Sequence, residues 1–451
     1  MNGDSQDQKG ITVVMVTHSF PDIAPVKITT ILKWGLWIIC SGLLIFLLTR
    51  VYLQFVTPPP PSRLLLVRDI PLPGAFPDAA RTAENPYAPG TARLFDHFDF
   101  QALDPQTHLL FIAHTGPSPD REQQINPQFD PDNDAKDDGN VIVFDTQQQK
   151  IVGLLAIPQV AGIIVAPDLH KVYAADSNDN IIYVINEQTL QTKQIPIQIN
   201  DGPDDLWYDQ VNHLVIISNP GAPANPDESN VIDRKNQNET FINALTDTVS
   251  GRVPLGIDGK WGDDVGHVRY DPVLHRAFVV VQQLPDPDST DPNILPPPGT
   301  AWLVEMDPLT PRTVSRLRLP DFCLTPHGMA LDTTSHIAFI ACVDAEPASI
   351  LRVDVQNMHA IDKAPHAVLS NPDMLLLDHP LHLLYVATAG GITLFHEDGT
   401  SLQWLGNYTF GVNTHSLAVD EATHMLYMPL PRMGGRPVLR ILRYNTSQYN
   451  E

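Results

Sequence analysis

The chain has 451 residues, a formal charge of −24 and 43% apolar side chains. That apolar content suits a folded core and excludes wholesale disorder. The acidity disfavours nucleic acid and anionic lipid as partners of the folded part, and leaves a cation, a metal ion or a basic protein. Residues 1–30 read as a polar N-terminal tail. Within residues 31–56 lies the one membrane candidate, Trp34–Val56, whose single charge is Arg50. It exceeds the roughly 20 residues needed to span a bilayer, and "TPPPPSR" offers no small-x-small cleavage site. Lys27 and Lys33 favour a cytoplasmic N-terminus, whereas Arg50, Arg63 and Arg68 oppose it. The expectation is a transmembrane signal anchor, with a proline-rich stalk at 57–62 and everything after it, including a repeat domain at 63–446, outside the cytoplasm.

From there the chain repeats. "LDPQTHLLFIA" from Leu103 recurs as "YDQVNHLVIIS" from Tyr208, "YDPVLHRAFVV" from Tyr270, "LDTTSHIAFIA" from Leu331, "LDHPLHLLYVA" from Leu377 and "VDEATHMLYMP" from Val419. "VAPDLHKVYAA" from Val165 keeps the frame with Ala166 in the Asp column. Three of the column spacings are 43, 46 and 42 residues, the length of a four-stranded propeller blade. The others, 62, 62 and 61, contain an insertion of about 18 residues. Alternating apolar positions make each unit a set of strands, so the fold expected is all-β, a seven-bladed β-propeller of four-stranded blades. The last unit supplies only three strands. Arg63–Gly74, "RLLLVRDIPLPG", has an outer-strand pattern and is expected to complete that blade and remove its open edge. His108, His170, His213, His275, His336, His382 and His424 occupy one repeat column. Seven turns around a ring cannot converge on one ion, so these histidines read as scaffolding beside an Asp that accepts turn N–H groups.

Cys40 falls in the apolar segment, leaving Cys323 and Cys342. They could pair in an oxidising compartment, but sequence does not set their distance, and two buried thiols are expected. "DPDNDAKDDG", Asp130–Gly139, begins like a calcium loop but has Ala135 where Gly belongs and no closing Glu. It reads as a solvated acidic loop. Asn238, Asn407 and Asn445 head N-x-S/T triplets. There is no G-x-S-x-G, H-E-x-x-H or phosphate-binding G-x-x-x-x-G-K.

The insertions, Thr115–Gly139, Asn219–Glu239 and Gln282–Gly299, fall between second and third strands. In an up-and-down blade that connection shares a face with the start of the inner strand, so the long loops gather at one channel mouth. The residues entering the inner strands there are polar: Asp99, Asp204, His327, Asp373 and His415 stand five places before the Asp column, with Asp205 and His267 one place further on. Asp96 and His97 precede the first inner strand. These carboxylates and imidazoles either cap turns around a wet channel or converge to bind. As a binding site they suit a cation, and a divalent metal is the candidate cofactor.

"THSLAVDEATHMLYMPLPRMGGRPVLRIL", "TPHGMALD" and "NPDMLLLD" resemble the closing blades of YVTN/YncE-like bacterial propellers, a group close to NHL-type and lactonase-like propellers. The resemblance covers roughly residues 64 to 445. It implies the propeller fold and, for function, a binding or surface protein; related propellers include metal-dependent lactonases and lyases. The Glu/Asn/Asp metal pattern of gluconolactonase-like enzymes is not recognisable. Two functional expectations follow: a membrane-anchored extracytoplasmic scaffold for a protein or small-molecule ligand, and a metal-assisted hydrolase or lyase using the His/Asp mouth. A quinone-dependent dehydrogenase is disfavoured, because the larger propeller and its tryptophan repeats are absent.

Overall fold

The computed structural model describes residues 62–74, 82–90, 97–116, 139–198, 201–221, 236–256, 262, 264–282, 301–411 and 414–448. The expected tail, membrane span and stalk to residue 61 lie outside the described residues, as do most of the three insertions and all of Asp130–Gly139 except Gly139. Among the described residues no helix is long and apolar enough to cross a membrane.

Residues 63–451 form one unit, and its strands make seven antiparallel sheets. The inner strands are His97–Asp104, Val160–Ala166, Leu206–Asp209, Val265–Asp271, Pro326–Asp332, Leu375–Asp378 and Ala418–Asp420. Each touches the next, and the seventh touches the first, so the ring closes. Second strands such as Ile337–Cys342 are buried on both faces, whereas outer strands such as Arg312–Arg318 alternate with solvent. The core therefore lies between sheets. Phe339 and Ile350 of the fifth blade, for example, pack against Leu375 and Leu384 of the sixth. This is the seven-bladed propeller that the repeats demand.

The ring is closed by the N-terminal strand. Leu64–Pro71 pairs antiparallel with Arg436–Tyr444, from Leu64 opposite Tyr444 to Pro71 opposite Val438, as the outer strand of the seventh blade. Leu64, Ile70 and Leu72 are buried there, and Asp69 grips Arg440 through two bonds of 2.9 and 2.7 Å. In the fifth blade the outer strand is two short pieces, His359–Ala360 and His366–Ala367, both paired with Ser349–Asp354. Between them the Asp362 carboxylate accepts the Arg352 N–H at 2.8 Å, taking the place of a strand partner.

The repeated histidines are turn residues. All seven sit at φ between 50° and 60°, a left-handed conformation in which His is one of the more tolerant side chains. The Asp column caps the same turns: Asp271 Oδ1 accepts the N–H groups of Val273 and Leu274 at 2.8 and 2.9 Å. Three of the imidazoles also tie blades together, His336 Nδ1 to Asp271 at 2.7 Å, His424 Nδ1 to Asp378 at 2.9 Å and His213 Nδ1 to Asp168 at 3.0 Å.

The expectation of two buried thiols is corrected. Cys323 and Cys342 form a disulfide, with Cα atoms 4.8 Å apart. The reason is register: Pro326 pairs with Cys342, which brings the segment before the fifth inner strand alongside the end of the second. Asn238 is buried and donates to Asp201 at 3.1 Å, so it is not presented to a glycosylating enzyme.

Candidate functional site

The inner strands carry their polar residues in bulges. Pairing with the second strand breaks between Phe98 and Gln101, between Val265 and Val268, and between Pro326 and Met329. Asp99, His267 and His327 lie in these breaks. A bulge frees residues from the ladder and re-aims their side chains, which here turn into the mouth. Glycines set the approach of neighbouring blades. A Cβ on Gly328 would overlap the Asp373 carbonyl oxygen, and one on Gly266 would overlap that of His327. Two small positions thus let each blade bring its polar residue against the next.

The result is a cluster around Asp373. Its Oδ2 lies 2.7 Å from His415 Nε2, which is also 3.5 Å from Asp99 Oδ1. Its Oδ1 lies 3.7 Å from His267 Nε2 and 3.9 Å from His327 Nε2, and has no hydrogen-bond partner. The two imidazoles stand edge to face, centroids 5.3 Å apart, and Phe100 lies against His267 at 4.9 Å. Asp373 is 8% exposed and His267 1%.

Charge is distributed unevenly over these groups. Burial works against the Asp373 carboxylate, yet His415, His327 and His267 together hold it well below the usual range. Burial likewise opposes charge on His415, but Asp373 and Asp99 lift it well above the usual imidazole value. These two form an ion pair in which Asp373 is buried and His415 partly exposed. His267 is pushed well below its usual value by burial and by the Arg269 guanidinium. Asp204 is driven well above the carboxylate range by lost hydration and by facing Asp99, Asp264, Asp205 and Asp373.

Arg269, which the sequence reading overlooked, organises this side of the mouth. It lies two places after His267, just past the break in the ladder, and the two side chains meet there. Its guanidinium reaches Asp205 Oδ2 at 2.7 Å and His267 Nδ1 at 3.2 Å, and lies 4.6 Å above the Trp207 ring. Asp205 also accepts the Val268 N–H at 2.8 Å. Asp205 is thus engaged between the third and fourth blades and is not offered to the channel. Asp99, Asp204, His267, His327, Asp373 and His415 share the mouth. Asp96 and the His97 side chain lie outside what the structure describes.

His267, His327 and Asp373 each present a ligand atom within 4.8 Å of the others, a spacing that could hold a metal ion. The His267 ring argues against its own part in that. Its Nδ1 accepts from the Met329 N–H at 3.3 Å and from Arg269. Both are donors only, so the neutral ring carries its proton on Nε2, the atom that faces Asp373. A histidine bound to metal through Nε2 ordinarily donates from Nδ1 to an acceptor, and none stands there.

No family model and no curated protein matches the chain. Among solved structures it is similar to hydrazine synthase of Kuenenia stuttgartiensis, with a TM-score of 0.55 at 12% identity over 78% of this chain and 98% of that one. At that identity the likeness concerns the fold alone.

Proposed function

We propose that the protein is a membrane-anchored, extracytoplasmic propeller of the YVTN/YncE-like kind, which binds a small organic cation at the mouth of its channel. One observation carries the ligand class: a buried, ionised carboxylate, Asp373, keeps one oxygen without a hydrogen-bond partner among three imidazoles. An ammonium group placed there gains a charge-assisted hydrogen bond in a water-poor setting. It also relieves the crowding of Asp99, Asp204 and Asp264 around the same mouth. The Cys323–Cys342 disulfide supports the compartment, since such bonds persist outside the reducing cytoplasm. The apolar segment Trp34–Val56 supports the anchor.

Metal-assisted hydrolysis is the second reading, favoured by the spacing of His267, His327 and Asp373 and weakened by the donors on His267 Nδ1. Calorimetric titration of the purified full-length protein with an alkyl diammonium salt, and separately with zinc and manganese, distinguishes the two. Saturable diammonium binding that is lost in Asp373→Asn supports the first. Stoichiometric metal binding, with no response to the diammonium, overturns it in favour of the second.

A further inference from the structure

Among the described residues, four of the nine large exposed aliphatic side chains tip turns on one face of two adjacent blades, the other five lying on outer strands. Val211 and Val273 stand two places after the Asp column, in the turns after the third and fourth inner strands, and are 53% and 65% exposed. At the same position the other blades carry Gln106, Asp168, Thr334, Pro380 and Ala422. Leu245 and Leu309 tip the turns between third and outer strands of the same two blades, 58% and 60% exposed. There the first, second, fifth and sixth blades carry Gln147, Gln188, Gln356 and Gly399. In an up-and-down blade both kinds of turn lie on the face opposite the mouth. Lone surface aliphatics need no explanation, but four at equivalent tips of neighbouring blades form a shared surface.

The N-terminal strand starts on that same face. Leu64 pairs with Tyr444 at the end of its strand, and the chain reaches Leu64 from the stalk. Six residues of any conformation span at most about 20 Å, at roughly 3.3–3.6 Å each. On the anchor reading, that length is the limit on the distance between a bilayer left at Val56 and Leu64. Around the ring the seventh blade touches the first and the sixth, so the third and fourth blades are those most distant from the tether. Leu66, 58% exposed, stands beside the tether itself. Tether and aliphatic tips are two supports at opposite edges of one face.

We propose that the turns bearing Val211, Leu245, Val273 and Leu309 rest in the interfacial layer of the lipid bilayer, so that the propeller lies face-down and its mouth opens away from the membrane. This rests on the anchor reading given above. The occupant is lipid because the short stalk leaves little room for a protein beneath the face. The net charge of −24 makes it a neutral, zwitterionic surface, entered by apolar contact.

The test uses the full chain in phosphatidylcholine nanodiscs. Cys40→Ser removes the cysteine outside the disulfide, and Val211→Cys, Val273→Cys or Asp321→Cys then accepts a nitroxide, Asp321 being an exposed mouth-side control. Labels at 211 and 273 should relax several-fold more with oxygen than with a water-soluble nickel chelate, and the label at 321 should do the reverse. Incorporated protein whose labels at 211 and 273 read like the one at 321 overturns the proposal while sparing the anchor. Protein that does not incorporate overturns the anchor, and the proposal with it. Spin–spin broadening at 211 that disappears on dilution into unlabelled protein assigns the surface to a second copy and also overturns it.

Discussion

Replacing Arg269 by Met removes the only cation in contact with Asp205 among the described residues. Both side chains are almost wholly buried, at 3% and 1% exposure. Removing one partner of a buried pair costs about 3–5 kcal/mol, because the other charge is stranded. Asp205 limits that cost through protonation. Burial already outweighs the guanidinium and holds its pKa at about 6. Without Arg269 it climbs further. A carboxyl with a raised folded pKa loses stability above that pKa and regains it as pH falls through it. The loss should therefore be full at pH 8 and smaller at pH 5, by roughly 1.4 kcal/mol for each unit the carboxyl climbs. Urea denaturation followed by tryptophan fluorescence at both pH values measures it, with Asp205→Asn/Arg269→Met completing a double-mutant cycle. The double variant should lose less than the sum of the two single losses by more than about 1.5 kcal/mol. Additive losses that do not change between pH 8 and pH 5 would refute the assignment of this pair.

Deleting residues 63–74 should cause aggregation, since it opens a sheet edge and uncovers buried partners of Ile70 and Leu72; Leu72→Ala alone should cost about 2–5 kcal/mol in a denaturation curve. Gly328→Ala should push back the segment carrying Asp373 and abolish diammonium binding, measured by calorimetry, while the circular dichroism of the propeller is kept. The Asp373–His415 pair should stabilise the fold most between the ordinary carboxylate and imidazole values, about pH 4 to 6.5. Above that window the raised His415 loses its proton and below it the depressed Asp373 gains one, so Asp373→Asn should narrow its melting difference from the parent towards both extremes. Reducing Cys323–Cys342 should lower stability by about 2–4 kcal/mol on the same scale.

The architecture was legible because propeller blades repeat. One His per unit, with an Asp in six of the seven, marks the inner turn, and the left-handed φ at that histidine explains why the column needs a tolerant residue and no ligand. The incomplete last unit foretold the closing strand, because a three-stranded blade leaves an edge that some other segment must cover. The mouth residues were legible by position alone, as entries into inner strands. Their roles were not. Asp205 and Asp204 are neighbours in sequence, yet one meets Arg269 and Val268 of the next blade and the other faces carboxylates. The bulges that aim His267 and His327 leave no mark in composition, although Gly266 and Gly328 beside them are a trace of the close approach. The disulfide was misjudged because its geometry depends on the pairing of Pro326 with Cys342, across a turn that sequence spacing does not fix.

The central claim is that Asp373 holds an open, charged acceptor for an organic cation. A crystal of the protein soaked with a diammonium carrying an anomalous scatterer tests it most directly, together with elemental analysis of the same preparation. The account predicts ligand nitrogen within hydrogen-bonding distance of Asp373 Oδ1, no stoichiometric metal, and His267 still accepting from the Met329 N–H through Nδ1. A metal bound by Nε2 of both His267 and His327, or a mouth that stays empty at saturating ligand, would contradict it.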